Sequence, residues 1–256
     1  MTTIAVAGKG GTGKTTIAGL LIRYIKENKL GTVLAIDADP SANLNSVLGM
    51  ELRCTVGDVR EEMLANVGKG PALPGMAKID FVDYKISESL EEGVGVDLLA
   101  MGRPEGPGCY CAANNMLRLC IDRLSESYDY VVIDNEAGLE HLSRRTTKSA
   151  DILLVVSDPT SRGLAAAQRV VELVKELKTK VGRAYLVLNR VDGEMSPALA
   201  EAAGKVGVEL IGTVPADPTV AEFDLAGKPT VELPADSPAH QAVVRIAGKL
   251  DLPKKS

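Results

Sequence analysis

The chain reads as a single α/β domain spanning residues 1–256, a mainly parallel twisted sheet with helices on both faces. Three observations predict it. Short apolar runs alternate with helical stretches almost throughout. The first run passes through a glycine-rich turn directly into a helical pattern. A length of 256 residues is enough for one such domain with a full core. In chain order the predicted strands are Ile4–Ala7, Thr32–Ile36, Val96–Met101, Tyr130–Ile133, Ile152–Val156, Ala184–Leu188 and Leu210–Val214. The pattern Ile17–Ile22 opens the first helix. Between the later strands, Ala165–Lys178 carries Ala166, Val170, Leu173, Val174 and Leu177 on one helical face. A helix is expected over Ala112–Ser127, and a last one over about Pro238–Leu250. The breaker-rich stretch Gly68–Gly75 reads as an excursion inside the domain, because the αβ rhythm resumes on both sides.

Composition narrows the function classes. Apolar residues make up 45% and charged residues 25%, ordinary for a globular protein. A formal net charge of −5 gives non-specific nucleic-acid binding no electrostatic support. Aromatics are scarce and Trp is absent, which removes a stacking platform for single strands. No apolar run approaches membrane-spanning length, and the start lacks a signal-peptide pattern, so a cytoplasmic protein without membrane or nucleic-acid partners is expected. There the four cysteines, Cys54, Cys109, Cys111 and Cys120, are expected to be reduced.

The stretch Gly8-Lys9-Gly10-Gly11-Thr12-Gly13-Lys14-Thr15-Thr16 joins the first strand to the first helix. Unpaired N–H groups at a helix N-terminus, with the helix dipole behind them, attract phosphate. The spacing from Gly8 to Thr15 satisfies the P-loop pattern G-x-x-x-x-G-K-[ST]. Lys14 then reaches the β- and γ-phosphates, and the Thr15 hydroxyl ligates magnesium. The same letters, through Gly8, Gly10 and Gly13, satisfy G-x-G-x-x-G, with Asp37 at a plausible distance for a ribose contact. A tight turn with no ligand is the plainest reading. A dinucleotide turn does not need a lysine and a hydroxyl at the helix start, and a bare turn needs neither. Triphosphate binding needs both, so the residues favour a nucleoside triphosphate.

Two further strands end in carboxylates. Thr32–Ile36 runs into Asp37-Ala38-Asp39-Pro40, at the end of the sheet where open α/β folds bind ligands. Asp37 as a helix cap or turn former is the alternative. Tyr130–Ile133 ends in Asp134, followed by Asn135-Glu136-Ala137-Gly138, which beside a P-loop reads as a Walker B strand. Asp134 would hold magnesium through water, and Gly138 would supply an amide that senses the γ-phosphate.

The repeated lysine in Gly8-Lys9-Gly10-Gly11-Thr12-Gly13-Lys14 resembles the deviant Walker A motif of the MinD/ParA/nitrogenase-iron-protein class of dimerising ATPases. The resemblance implies that Lys9 reaches across a two-fold interface to the partner's nucleotide, as an arginine finger does. Asp37-Ala38-Asp39-Pro40 with Ser41-Ala42-Asn43-Leu44 is similar to switch I of that class. By that likeness Asp37 assists magnesium, Asp39 orients or deprotonates the attacking water, and Asn43 belongs to the switch. For the base, the class implies a contact from Asn189, in Val187-Leu188-Asn189-Arg190, and from the Pro215-Ala216-Asp217 loop. Asp192 stands at the aspartate offset of the guanine-selective Asn-Lys-x-Asp motif, but Arg190 replaces the lysine. ATP is favoured, and GTP stays open.

Cys109 and Cys111 leave a glycine- and proline-rich loop at an expected helix start, where the dipole favours thiolate. One Cys-x-Cys offers two sulfurs and a thiophilic metal usually takes four ligands, so either these are plain reduced loop cysteines or two copies complete a site. The P-loop, the Cys109-Tyr110-Cys111 loop and Asp134-Asn135-Glu136-Ala137-Gly138 with Glu140-His141-Leu142 together resemble the CooC-type ATPases, over essentially the whole chain. Those proteins mature the nickel–iron–sulfur cluster of carbon monoxide dehydrogenase. The resemblance implies that Cys109 and Cys111 of two subunits bind nickel or zinc, that nucleotide state controls the homodimer, and that carbon monoxide dehydrogenase is the client. Cys120, near Met116, Leu117 and Ile121, reads as core, Cys54 as structural, and His141 as a polar surface residue. Two other outputs compete. A MinD- or ParA-like positioning ATPase needs a basic face or a basic amphipathic C-terminal helix, and an electron-transfer ATPase needs a second cysteine where Ala137-Gly138-Leu139 stands.

Overall fold

The computed structural model describes residues 1–65, 84–85, 87–103, 120–136, 149–177 and 179–254. Eight strands form one sheet: β1 (Thr2–Gly8), β2 (Val33–Asp37), β3 (Leu90–Glu91), β4 (Val96–Ala100), β5 (Tyr130–Asp134), β6 (Ser149–Ser157), β7 (Lys180–Val191) and β8 (Glu209–Pro215). Their order is β3-β4-β2-β5-β1-β6-β7-β8, parallel throughout except for β3 against β4. All seven expected strands are present. The two-residue β3 carries too short a pattern to be read from sequence.

Alternate residues of each run feed opposite faces, which is why the runs read as continuously apolar. Ile4, Val6, Val132 and Leu154 pack with helices α1 (Lys14–Glu27) and α7 (Pro238–Gly248) on one face. Ala5, Ala7, Leu153 and Val155 pack on the other with α4 (Ser161–Glu176) and α5 (Pro197–Gly204). Leu34, Ile36, Val131 and Ile133 form a third cluster with Cys120, which is buried as expected. Helix α2 (Leu44–Leu48), α3 (Val56–Ala65) and α6 (Pro218–Leu225) complete the set of helices described in full.

Two details differ from the sequence reading. Helix α4 opens earlier than expected, at Ser161, because the Thr160 hydroxyl caps it by accepting from the Gly163 N–H. Its buried stripe is Gly163, Leu164, Ala167, Val170 and Val171, and Leu177, one residue beyond the last turn, is exposed. The helix expected over Ala112–Ser127 ends in a 3-10 turn at Ser125–Ser127. Gly68–Gly75 lies outside the described residues.

The strand order positions the site. Beyond β1 the chain crosses to β2, skipping the place later filled by β5, while β6 follows on the other side of β1. The carboxyl end of β1 is therefore the switch point where open α/β sheets hold ligands. No helix among the described residues is long and apolar enough to cross a membrane.

Helix α2 lies against α1 at Gly19, where a Cβ would stand 2.2 Å from Val47 Cγ1. Alanine at a helix interior is favoured over glycine by about 1 kcal/mol, but overlap in a packed contact costs about 1–3 kcal/mol. Gly19→Ala should therefore lower stability by roughly 1 kcal/mol in urea denaturation, and Val47→Ala in the same chain should recover most of it. A Gly19→Ala protein more stable than the parent would show that α2 does not occupy this groove.

Candidate nucleotide site

The loop after β1 is shaped by two glycines that tolerate no side chain. A Cβ on Gly8 (φ 149°) would stand 2.1 Å from the Val156 carbonyl oxygen of β6, and one on Gly13 (φ 87°) 2.2 Å from Asn189 Nδ2. Gly13 in the left-handed region starts α1 without a side-chain cap and without an acidic residue in the first turn. Helices α4 to α7 are capped by Thr160, Ser196, Asp217 and Ser237 in turn. The first amides of α1 carry no side-chain cap and can take an anion. Lys14 opens that helix and is 7% exposed. Its Nζ lies 3.4 Å from the Lys9 carbonyl oxygen, and it makes no ion pair among the described residues. A buried ammonium held in no direct ion pair favours an anion beside it. Thr12, fully buried, closes the loop by donating its hydroxyl to the Lys9 carbonyl at 2.8 Å. Lys9 itself is exposed.

Next to this positive cradle stand two carboxylates. Asp37 and Asp134 are direct register partners on β2 and β5, and Asp134 is also paired with Val6 of β1. Both are almost fully buried. Asp37 Oδ1 accepts from the Asp39 N–H at 3.0 Å and Oδ2 from the Leu44 N–H at 2.8 Å. The cap and turn-former reading of Asp37 therefore holds, and its two bonds fix the turn from Asp39 to Leu44 beside the site. Asp39 is half-buried and accepts from the Ser41 N–H at 2.8 Å, while Asn43 is exposed at the start of α2. Asp134 Oδ1 has no hydrogen-bond partner.

Burial raises both carboxyls, Asp37 to about 6 and Asp134 to about 7. For Asp134 the Thr15 hydroxyl and Lys14 oppose that rise and Asp37 adds to it. An orphaned carboxylate oxygen, two desolvated acids and a facing hydroxyl form a donor set that fits a hard divalent cation. Thr15, Asp37 and Asp134 are the residues that would hold magnesium, directly or through water.

From the cradle a cleft of 880 Å³ runs to the ends of β7 and β8. Its walls include Thr15, Thr16, Asn43, Asn189, Arg190, Pro215 and Asp217, so the base-contact residues inferred from sequence share one cavity with the phosphate loop. A β-bulge shapes that end: Asn189 pairs with Val214 and Val191 with Pro215, leaving Arg190 unpaired at φ 59°. The bulge turns Asn189 back on the P-loop. Its Nδ2 donates to the Thr12 carbonyl at 2.7 Å, and its Oδ1 accepts from the Arg190 N–H at 2.9 Å.

Sequence reasoning missed Ser46 and Val47 of α2, and Ala239 of α7, which also line the cleft. It also missed Asn135, whose backbone N–H and Nδ2 both donate to the Val6 carbonyl, tying β5 to β1 below the P-loop. Their apolar or polar character alone carries no signal of the site. Gly138, Cys109, Cys111 and His141 lie outside the described residues. Among the described residues no cluster of three or more His, Cys, Asp or Glu could hold a metal ion.

The two raised carboxyls fix a pH response. A folded-state pKa above the unfolded 3.8 means the folded chain binds protons more tightly, so these groups destabilise it most above about pH 7 and progressively less as pH falls. Without nucleotide or divalent ion, the melting temperature should rise by roughly 3 °C between pH 8 and pH 6. Asp134→Asn should flatten that slope, and saturating Mg-ADP should suppress it. A melting temperature that falls over this interval in the parent would contradict the assignment.

Comparison with known proteins places this geometry. Residues 3–231 match the family model described as the CobQ/CobB/MinD/ParA nucleotide binding domain. An uncharacterised ATP-binding protein of Methanocaldococcus jannaschii is 46% identical over 96% of this chain and 97% of its own length. The carbon monoxide dehydrogenase accessory protein CooC of Rhodospirillum rubrum is 32% identical over 88% of this chain and 87% of its own. The solved structure of the septum site-determining protein MinD complexed with Mg-ADP, from Pyrococcus horikoshii, superimposes with a TM-score of 0.70 at 26% identity, covering 98% of this chain and 96% of that one. With an uncapped helix start, a buried lysine and paired strand-end carboxylates already in place, the chain belongs to the CobQ/CobB/MinD/ParA nucleotide-binding family and is an ATPase of the MinD/ParA class.

Proposed function

We propose that this ATPase works as a nucleotide-gated homodimer that binds nickel or zinc through Cys109 and Cys111 of two subunits and supports nickel insertion into carbon monoxide dehydrogenase. The observation that carries the nucleotide part is the uncapped start of α1 with Lys14 buried beside it. Gly8, Gly10, Gly11, Gly13 and Thr16 complete the phosphate cradle with Lys9, Thr12, Lys14 and Thr15. The base lies farther along the cleft, against Asn189, Arg190, Pro215 and Asp217. A magnesium ion held by Thr15, Asp37 and Asp134 would neutralise charge on the β- and γ-phosphates. Lys14 neutralises phosphate charge from its own subunit. Lys9, exposed at the rim, does so across the two-fold axis. Asp39, its backbone pinned by Asp37, aligns the attacking water. Hydrolysis relaxes switch I at Asn43 and switch II at Gly138, and that motion changes the spacing of the cysteine loops.

Support for the metal output comes from the likeness to the Rhodospirillum CooC protein over most of both chains, together with the Cys109-Tyr110-Cys111 sequence. A positioning ATPase is the second reading, favoured by the full-length likeness to MinD structures. The apolar face of α7 is spent inside, so this helix does not offer it to a lipid surface. Ala239, Ala242, Val243, Ile246 and Ala247 are buried in the core, and Lys249 donates to the Ile211 carbonyl.

Asp39→Asn should bind Mg-ADP about as tightly as the parent while kcat falls ~100-fold or more. Unchanged turnover would remove Asp39 from the chemistry. Anaerobic metal analysis of the full chain with nickel or zinc, in the presence of ADP or ATP, should find about half a metal ion per chain, as four thiolates from two chains require. Double substitution of Cys109 and Cys111 by Ser should abolish it. Metal retained at that ratio by the double variant would refute the cysteine site and return the positioning reading to the front.

A further inference from the structure

The polar side chains best placed to read a base are partly committed to the protein. Asn189 gives one Nδ2 proton to the Thr12 carbonyl and one acceptor position of Oδ1 to the Arg190 N–H. Asp217 accepts from three donors: the Thr219 N–H at 2.9 Å, the Ser237 hydroxyl at 2.6 Å and the Ala239 N–H at 3.1 Å. A carboxylate has about four acceptor positions, so little of Asp217 is left for the paired donors of a guanine edge. What this end of the cleft offers a base then depends on how rigidly the Pro215–Asp217 turn is held.

We propose that Ser237 is a positioning residue for nucleotide binding: its hydroxyl, through Asp217, ties the base loop after β8 to the N-terminus of α7. The inference rests on the reading of this cleft as the seat of the base. Ser237 is 4% exposed. Its oxygen accepts from the His240 N–H at 3.2 Å as the cap of α7, which directs its single proton to Asp217 Oδ2. Asp217 in turn caps α6 through Thr219 and takes a second amide of α7 through Ala239. One carboxylate thus joins three segments: the β8 turn, the first turn of α6 and the first turn of α7. Burial works to raise the Asp217 carboxyl, but the bonds from Ser237, Ala239 and Thr219 outweigh it and hold the group below its ordinary value, as a carboxylate ionised for this task requires. Pro215, Asp217 and Ala239 all face the cleft. The phosphate cradle hangs on other contacts, to β6 at Gly8 and to Asn189, so a change at Ser237 separates base from phosphate.

Titration calorimetry on the full chain tests this with two probes, Mg-ADP and Mg-tripolyphosphate, the second filling only the phosphate cradle. Ser237→Ala should weaken Mg-ADP by roughly tenfold, the worth of a hydrogen bond to a charged group. It should leave tripolyphosphate within about twofold, inside the scatter expected for a distant site. Ser237→Thr, which keeps the hydroxyl and the cap, should restore ADP binding, and Asp217→Asn should repeat the Ser237→Ala pattern. Unchanged ADP affinity in Ser237→Ala would overturn the proposal, as would parallel loss of both probes, the mark of general disruption. Parent protein that binds ADP no better than tripolyphosphate would instead sink the placement of the base in this cleft, and the proposal with it.

Discussion

A helix that begins without a cap, next to a lysine ammonium taken out of water, is the constraint from which the rest of this site follows. The N-terminal amides of α1 carry partial positive charge, the Lys14 side chain is buried, and among the described residues Lys14 makes no direct ion pair. Holding them in place requires a backbone path that only glycine can take at two points, one against the Val156 carbonyl and one against Asn189. The charge pattern is incomplete until an anion arrives, so phosphate binding and local stability are one quantity.

The opposite charge sits one strand away. Insertion of β5 between β1 and β2 puts Asp134 level with Asp37 and within the field of Lys14. Two carboxyls in so little water resist ionisation, and burial raises the pKa of each. A cation there would relieve it. Positive cradle and negative pair together outline a metal–phosphate complex, with the switch I turn hung from Asp37 by two backbone bonds.

The elements around the cleft are joined by tethers that are short and specific. Asn189 links the P-loop to the bulge at the end of β7, Asp217 links the base loop to α7, and Val47 of α2 fills the hollow over Gly19 of α1. Each is a contact between elements remote in sequence. The cleft is therefore bordered at once by the phosphate loop, by α2 after the Asp37 turn and by the start of α7, so a nucleotide seated in it would meet all three.

What the sequence determined by itself was local. Continuous apolar runs marked every strand but the shortest, the spacing from Gly8 to Thr15 marked the phosphate loop, and Asp37 and Asp134 stood out at strand ends because each closes its own run. Even the two readings of Asp37, cap and ligand, were both visible there. Only the tertiary structure decided that β5 enters between β1 and β2, that Asn189 serves the P-loop, and that Asp217 answers to Ser237 twenty residues on. Strand order and side-chain tethers are chosen by hydrogen bonds and packing between distant segments. Residue spacing along the chain holds no record of which segment will lie beside which.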